Sequence, residues 1–445
     1  MCVMTQLKNP NPSSSPSAAG ASPGSSSGSF SNSDSGNRRP SARTQTIGLW
    51  AAAIATFLAV GAHAYLANRH FDLKFGEVNT HSLCNINATF NCEAVSASKF
   101  AEFLGVPMAI WGAFTNIALL AMMIFRPLAE PAKYTTTRRN LLLFSGFIAF
   151  VSIVMGSIST FLLSALCPVC MLTYLLSFIG FFGLWAGLPK QPTSRHSVPT
   201  NFAFGDFLPL VYAAIFIGLG GMIASDQIKQ GYGADRLKQM IPDAVNGWEQ
   251  SAAHPIAMLE PLTGGASPTA AKMTIFEFAD YRCPHCKHAA PVMKAFVASH
   301  PLARLEFQAW PLDGECNTSM NQTNGASCML ARIVYCAQKT GDNAAGWRAS
   351  EYIYDTQDAY FSGTEAIHAT IPTIAAKAGV DAAQLQACTD SPDTKSMVSK
   401  QSAIGTALNL QGTPGIYVNG KEVPSGLGQS MPVLEAIYER ITATR

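Results

Sequence analysis

Cys283 and Cys286 flank Pro284 and His285, and this C-P-H-C run follows an apolar stretch and opens a helix-like one. A thiol at the first turn of a helix lies among amide N–H groups that no helical carbonyl has claimed, and the helix dipole adds positive potential there. Cys283 is therefore expected to be a nucleophilic thiolate near neutral pH, with Pro284 suited to the first turn and His285 adding positive charge beside the sulfur. A stabilised thiolate leaves readily, so the oxidised pair is a strong oxidant, by up to about 150 mV relative to thioredoxin in the most oxidising carriers. The same spacing also serves as half of a zinc site. No second C-x-x-C and no H-x-x-x-H lies near it in that part of the chain, and no metal is assigned.

A second C-x-x-C, Cys167 and Cys170, falls in "ALCPVCMLTY" between two apolar stretches, and Cys84 and Cys92 stand in a polar segment with seven residues between them. At a helix start, Cys167 and Cys170 gain the same thiolate stabilisation, and the edge of a bilayer exposes them to lipid-soluble oxidants. A thiol pair alone has nowhere to send two electrons; a membrane quinone, ubiquinone or menaquinone, provides the acceptor. Read singly, Cys84 with Cys92 is a structural disulfide and Cys167 with Cys170 two small buried side chains. Read with C-P-H-C on the same side of the membrane, the pairs form a relay. Cys316, Cys328, Cys336 and Cys388 permit three pairings. Cys316 with Cys328 is the first choice, because both flank a polar Gly- and Asn-containing loop, and all four are expected to be structural staples.

These thiols need a membrane part and a soluble part to hold them. Only 13% of the 445 residues are charged and 48% are hydrophobic, far from the usual quarter charged of soluble domains. The net charge of +2 supports no argument for a nucleic-acid partner. Five apolar stretches, Thr46 to Leu66, Val106 to Phe125, Leu141 to Leu166, Cys170 to Leu188 and Phe207 to Ala224, each approach the roughly 20 residues that cross about 30 Å of hydrocarbon. Arg38, Arg39 and Arg43 precede the first, Arg126, Lys133, Arg138 and Arg139 separate the second and third, and Lys190 and Arg195 separate the fourth and fifth. Positive loops stay cytoplasmic, which sends every cysteine except Cys2 to the opposite side. Ala62, His63 and Ala64 also mimic a signal-peptidase site, although the polar segment ahead of that span is too long for a usual signal peptide.

Four segments follow: a disordered Ser-, Gly- and Pro-rich tail over 1–45, a transmembrane domain over 46–190, a cytoplasmic loop with the fifth span at 207–224 and a linker up to 269, and a soluble α/β domain over 270–445. In the last, "MTIFEFA" reads as a buried strand, "HCKHAAPVMKAFVA" as a helix and "RLEFQAW" as a second strand. Residues 325–408 read as a mostly helical insert, "GTPGIYVNG" as a turn with a short strand, and 431–443 as a closing helix. The connector is expected to act as a flexible tether that holds the two sites at about millimolar effective concentration.

"FADYRCPHC", followed about 130 residues later by "GTPGIYVNG", resembles the DsbA-like branch of the thioredoxin fold. That resemblance implies a cis-proline loop, Thr413 and Pro414, facing the thiols. Residues 47 to 190 resemble the vitamin K epoxide reductase family: the loop pair Cys84 and Cys92, Ser98 six residues on, "FLGVP" ahead of the second span, and C-x-x-C with Tyr174 four residues beyond. The resemblance implies a four-helix bundle around a quinone. In it Cys170 is nearest the ring with Tyr174 and Trp111 in the pocket, Ser98 supports the loop, Cys167 exchanges with Cys84, and Cys92 meets the partner thiol. Where animal members carry an asparagine donor this chain has Met108, which argues against animal-type epoxide reduction.

The expected function is a quinone-dependent thiol oxidoreductase of a bacterial inner membrane, with its N-terminus cytoplasmic and its thioredoxin-like domain extracytoplasmic, making disulfides in reduced, unfolded exported proteins. The rivals are a disulfide reductase or isomerase, and a redox-inactive membrane-anchored chaperone or binding module.

Overall fold

The structure is a computed structural model that describes residues 41–76, 92–125, 131–163, 166–189 and 204–443. Cys2 and Cys84 lie outside the described residues, as does the expected tail up to residue 40.

The membrane part contains α1 (Ala42–Phe75), α2 (Cys92–Ser96), the short strands β1 (Glu102–Phe103) and β2 (Val106–Pro107), α3 (Met108–Ile124), α4 (Pro131–Phe161), α5 (Pro168–Gly187) and α6 (Leu208–Gly231). Four of these helices, α1, α4, α5 and α6, are long and apolar enough to cross a membrane. The second expected span, α3, has 17 residues, about 25 Å at 1.5 Å per residue. The helix begins two residues later than hydropathy suggests because β1 and β2 form a tight antiparallel pair that occupies Val106 and Pro107.

Helices α1 and α5 approach closely through small residues. A Cβ on Gly183 would lie 2.7 Å from the Gly48 carbonyl oxygen and 3.0 Å from the Ala52 nitrogen. Glycine permits this backbone contact, which in a bilayer replaces the hydrophobic drive for helix association. Gly183→Val is expected to separate the helices and cost about 1–3 kcal/mol, as overpacking does elsewhere. Thermal unfolding in detergent checks this, and an unchanged midpoint would show that α1 and α5 are not in contact. Helix α6 packs on α3, with Gly220 against the Phe114 ring and Gly221 against that of Trp111.

After α6 come α7 (Ala234–Gln250), β3 (Leu262–Gly265), β4 (Met273–Ala279), α8 (Pro284–Ser299), β5 (Ala303–Ala309), the helices α9 (Ala326–Thr340), α10 (Asn343–Asp355), α11 (Thr364–Ala378), α12 (Ala382–Asp390) and α13 (Pro392–Ala407), then β6 (Gly415–Val418), β7 (Lys421–Glu422) and α14 (Met431–Ala443). The sheet order is β3-β5-β4-β6-β7. Only β4 and β5 run parallel, and α8 crosses between them. This is a thioredoxin-like sheet with a helical insertion between β5 and β6.

The connector differs from a flexible tether. Leu237, Ile241, Ala244, Val245 and Trp248 recur at helical spacing on α7 and pack into the α/β core, and Trp248 Nε1 donates to the Val418 carbonyl at 3.1 Å. Strand β3 pairs with β5 from Leu262 onwards, so the α/β unit begins ahead of residue 270. The α/β unit also docks on the membrane part. Helix α8 packs against α2, Leu73 and Ala97 share a buried core with Val292, Met293 and Phe296, and Lys74 bridges Glu102 at 3.1 Å and Glu435 at 3.5 Å.

Candidate active site

Strand β4 ends at Ala279, and the loop that follows is pinned before α8 starts. Asp280 accepts from the Arg282 N–H at 2.6 Å and the Leu312 N–H at 2.8 Å. Gln357, from the helical insertion, donates to the carbonyls of Tyr281 and Cys283 at 2.9 and 3.0 Å. Cys283 is then the N-cap of α8, with Pro284 in the first turn, and is 8% exposed, whereas Cys286 is fully buried. His285 is exposed. The Thr413–Pro414 bond is cis, and the Thr413 carbonyl oxygen lies 3.4 Å from the Cys283 sulfur.

The two thiols are pushed apart in acidity. The Cys286 thiol donates to the Cys283 sulfur and holds Cys283 down at about 6 against the opposing effect of burial, assisted by the N–H groups of Cys286 and His285. Burial pushes Cys286 well above the ordinary thiol range, and its bond to Cys283 adds to the effect. One sulfur attacks and leaves; the other stays protonated. Below them, burial raises the Glu277 carboxyl to about 8. Cys316 is bonded to Cys328 and Cys336 to Cys388.

In the membrane part, Cys167 is the N-cap of α5, its sulfur accepting from the Cys170 N–H at 3.2 Å. The Cys92 sulfur, at the start of α2, lies 3.0 Å from that of Cys167. Both are buried, in a cluster with Leu66. The expected exchange of Cys167 with Cys84 falls on a residue outside the described ones, and the neighbour that the fold sets against Cys167 is Cys92. The reason is the anchoring of α2 on α1: Arg69 Nη2 donates to Glu93 at 3.1 Å, and His70 bonds the Ser96 carbonyl at 3.1 Å and Glu102 at 3.0 Å. Burial disfavours the charged Glu102, but His70 and Lys74 outweigh it and hold the carboxyl down at about 2. Ser98 Oγ donates to the Val95 carbonyl at 2.8 Å, closing the turn after α2.

Beneath Cys170 a cavity of about 350 Å³ opens between the helices, lined by Tyr174, Trp111, Ser98, Met108 and the α4 side chains Phe147, Val151 and Met155, with Ile217 reaching in from α6. Among the described residues no aspartate, glutamate, lysine or arginine lines it. Trp111 is held by its Nε1, which donates to the Phe103 carbonyl at 3.1 Å, and the Tyr174 ring lies over Gly156. No group of three or more His, Cys, Asp or Glu residues suited to a metal occurs among the described residues.

Sequence reasoning missed Gln357, Glu277 and His63. Glu277 is the one charged residue of the strand "MTIFEFA", six residues ahead of Cys283, a signal open to reading. Gln357 carries none, since its partner loop is more than 70 residues away.

An acidic thiol at a helix start opposite a cis-proline, on a sheet docked to an apolar bundle with its own cysteines, defines a membrane thiol–disulfide oxidoreductase. Residues 50–185 match the model of the Vitamin K epoxide reductase family and residues 274–439 that of the DSBA-like thioredoxin domain, so the chain is a fusion of one domain from each. Similar solved structures include oxidised BdbD from Bacillus subtilis, 20% identical over 43% of this chain and 98% of that one with a TM-score of 0.36. NmDsbA1 from N. meningitidis is 20% identical over 43% and 91%, TM-score 0.32; DsbA2 from Pseudomonas aeruginosa is 21% identical over 43% and 98%, TM-score 0.31. No curated protein matches the chain.

Proposed function

We propose that this protein makes disulfides in exported proteins and disposes of the electrons through a membrane quinone. The observation that carries the reading is the contact of Cys92 with Cys167 at 3.0 Å, at the head of a neutral cavity whose wall includes Cys170.

A reduced client presents a thiolate to the Cys283–Cys286 disulfide. It bonds to Cys283 and displaces Cys286; the second client thiol then attacks the mixed bond, so the client leaves oxidised and the carrier holds two electrons and two protons as thiols. Reduced Cys283 attacks the Cys84–Cys92 disulfide at Cys84 and releases Cys92, and Cys286 resolves that bond, leaving Cys84 reduced and the carrier oxidised. Cys92 attacks Cys167 of the Cys167–Cys170 disulfide and releases Cys170; Cys84 resolves it, restoring the loop disulfide. Each exchange conserves one disulfide and moves one dithiol inward. Ubiquinone or menaquinone, bound in the cavity, supplies the two-electron, two-proton sink the thiols lack.

The cavity fits such a ring: it is large enough and, among the described residues, has no carboxylate, lysine or arginine in its wall and carries an enclosed polar atom without a partner, the His63 Nδ1. Cys170, Tyr174 and Trp111 are the residues that would hold it. Docking of the α/β unit through α8, α2 and α14 supports a carrier recharged beside the bundle rather than on a loose string. The charge bias of the loops supports an extracytoplasmic carrier, and the membrane proposed for it is a bacterial inner membrane.

The test is anaerobic reconstitution of the full chain with a reduced unfolded client and decylubiquinone or menadione, following quinol absorbance. Wild type is expected to form one quinol per disulfide made, and Cys170→Ser none above background. Quinol formation at the wild-type rate in the variant would remove Cys170 from the route, and none in wild type would end the quinone reading.

A further inference from the structure

The polar groups of the cavity wall are mostly turned on their own helices. Thr115 donates to the Trp111 carbonyl at 2.6 Å, Asn116 to that of Gly112 at 2.8 Å, Ser152 to Ile148 at 3.0 Å, Thr173 to Cys170 at 2.7 Å and Ser177 to Thr173 at 2.8 Å. Trp111 and His70 bond to the segment between α1 and α3, and His63 differs from all of these. Its Nδ1 is enclosed and has no partner among the described residues. An enclosed nitrogen without a hydrogen bond is unfavourable in any apolar surrounding, and in a membrane no water offsets it.

The ring is placed, not merely buried. His63 shares a stripe of α1 with Leu66 and His70, three and seven residues on, and all three line the cavity. Opposite, α3 offers Gly112, where a Cβ would come within 2.3 Å of the His63 Cε1 and 2.6 Å of its Nδ1. The missing side chain at 112 is what admits the imidazole between α1 and α3. Asn116, one turn further along α3, already spends an amide N–H on the Gly112 carbonyl.

The chemistry required of a ligand here follows. With no carboxylate, lysine or arginine among the described residues of the wall, the cavity suits an uncharged ligand, whose polar atom would pair with the imidazole in its neutral form. Such a ring has one N–H donor and one acceptor lone pair. It can donate to the carbonyl oxygen of an oxidised quinone and, in the other tautomer, accept from the hydroxyl of the reduced form. The structure assigns His63 as the hydrogen-bond partner of one quinone oxygen in this cavity, a positioning residue that orients the ring between α1 and α3. This assignment rests on the quinone reading above.

The experiment is equilibrium binding of decylubiquinone to the full chain in nanodiscs, with infrared difference spectra of the carbonyl bands of the bound probe. His63→Phe is expected to weaken binding about tenfold, equivalent to about 1.4 kcal/mol, and His63→Asn, which keeps an N–H, to restore most of it. In wild type and His63→Asn one carbonyl band is displaced to lower frequency, and in His63→Phe that displacement is lost. Equal binding by wild type and His63→Phe overturns the assignment while leaving the quinone reading intact. No binding by wild type overturns both. Should His63→Phe fail to fold, the wild-type bands decide, since two undisplaced carbonyl bands overturn the assignment.

Discussion

Cys92→Ser is expected to reduce client oxidation to a single equivalent per chain, with turnover lowered at least about 100-fold, because an oxygen cannot stand in for sulfur in disulfide exchange. The pre-formed Cys283–Cys286 disulfide is spent once, and the carrier then accumulates reduced. The companion experiment reads the order of exchange. In Cys286→Ala, Cys283 attacks the loop disulfide and nothing resolves the product, so a mixed disulfide persists. With Cys92 held 3.0 Å from Cys167 and buried behind the Arg69–Glu93 pair, that product should join Cys283 to Cys84. Non-reducing peptide mapping identifies it. A Cys283–Cys92 peptide instead would reverse the order, and would require α2 to leave its seat on α1 during each cycle.

The second large effect is on pH. Cys283 titrates at about 6 in the folded chain against an ordinary 9. A depressed acid pKa contributes stability that is complete above the unfolded value and is lost as pH falls through the folded one. For the reduced carrier that gain amounts to about 1.4 kcal/mol at pH 7, and it is absent by about pH 5. The oxidised form has no thiolate and gains nothing, so the difference favours reduction of the carrier by about 30 mV at pH 7 and makes it the more oxidising. The measurement is the alkylation rate of Cys283 against pH, with half the limiting rate expected near pH 6. Because the Cys286 thiol is the largest cause, Cys286→Ala should move that midpoint upward. A wild-type midpoint near 9 would refute the account, as would a Cys286→Ala midpoint left at 6.

Much of the architecture could be read from the chain because the signals are local. Apolar runs mark the spans, and the switch from "MTIFEFA" to the helix after Cys283 marks the redox loop; the cis peptide at Thr413 and Pro414 is implied by the family resemblance and not by any local signal. The same local reading pairs Cys316 with Cys328, as found. It failed on α7, whose apolar stripe is helical but is interrupted by Pro242 and Gly247, and on the extent of the α/β unit, since β3 is short and has meaning only beside β5.

The division between the two kinds of information is clearest at the loop thiols. Two cysteines in one polar segment are equivalent in hydropathy and spacing, and only the seating of α2 on Arg69 and His70 of α1 sets Cys92 against Cys167. His63 shows the same thing from the other side. In the chain it is part of an Ala-His-Ala run, and its facing of the cavity depends on Gly112, 49 residues away, leaving room for its ring. Which residues are able to exchange electrons is a property of side-chain chemistry, and that is written residue by residue; which of them meet is decided by helix packing, whose contacts join positions with no local pattern in common.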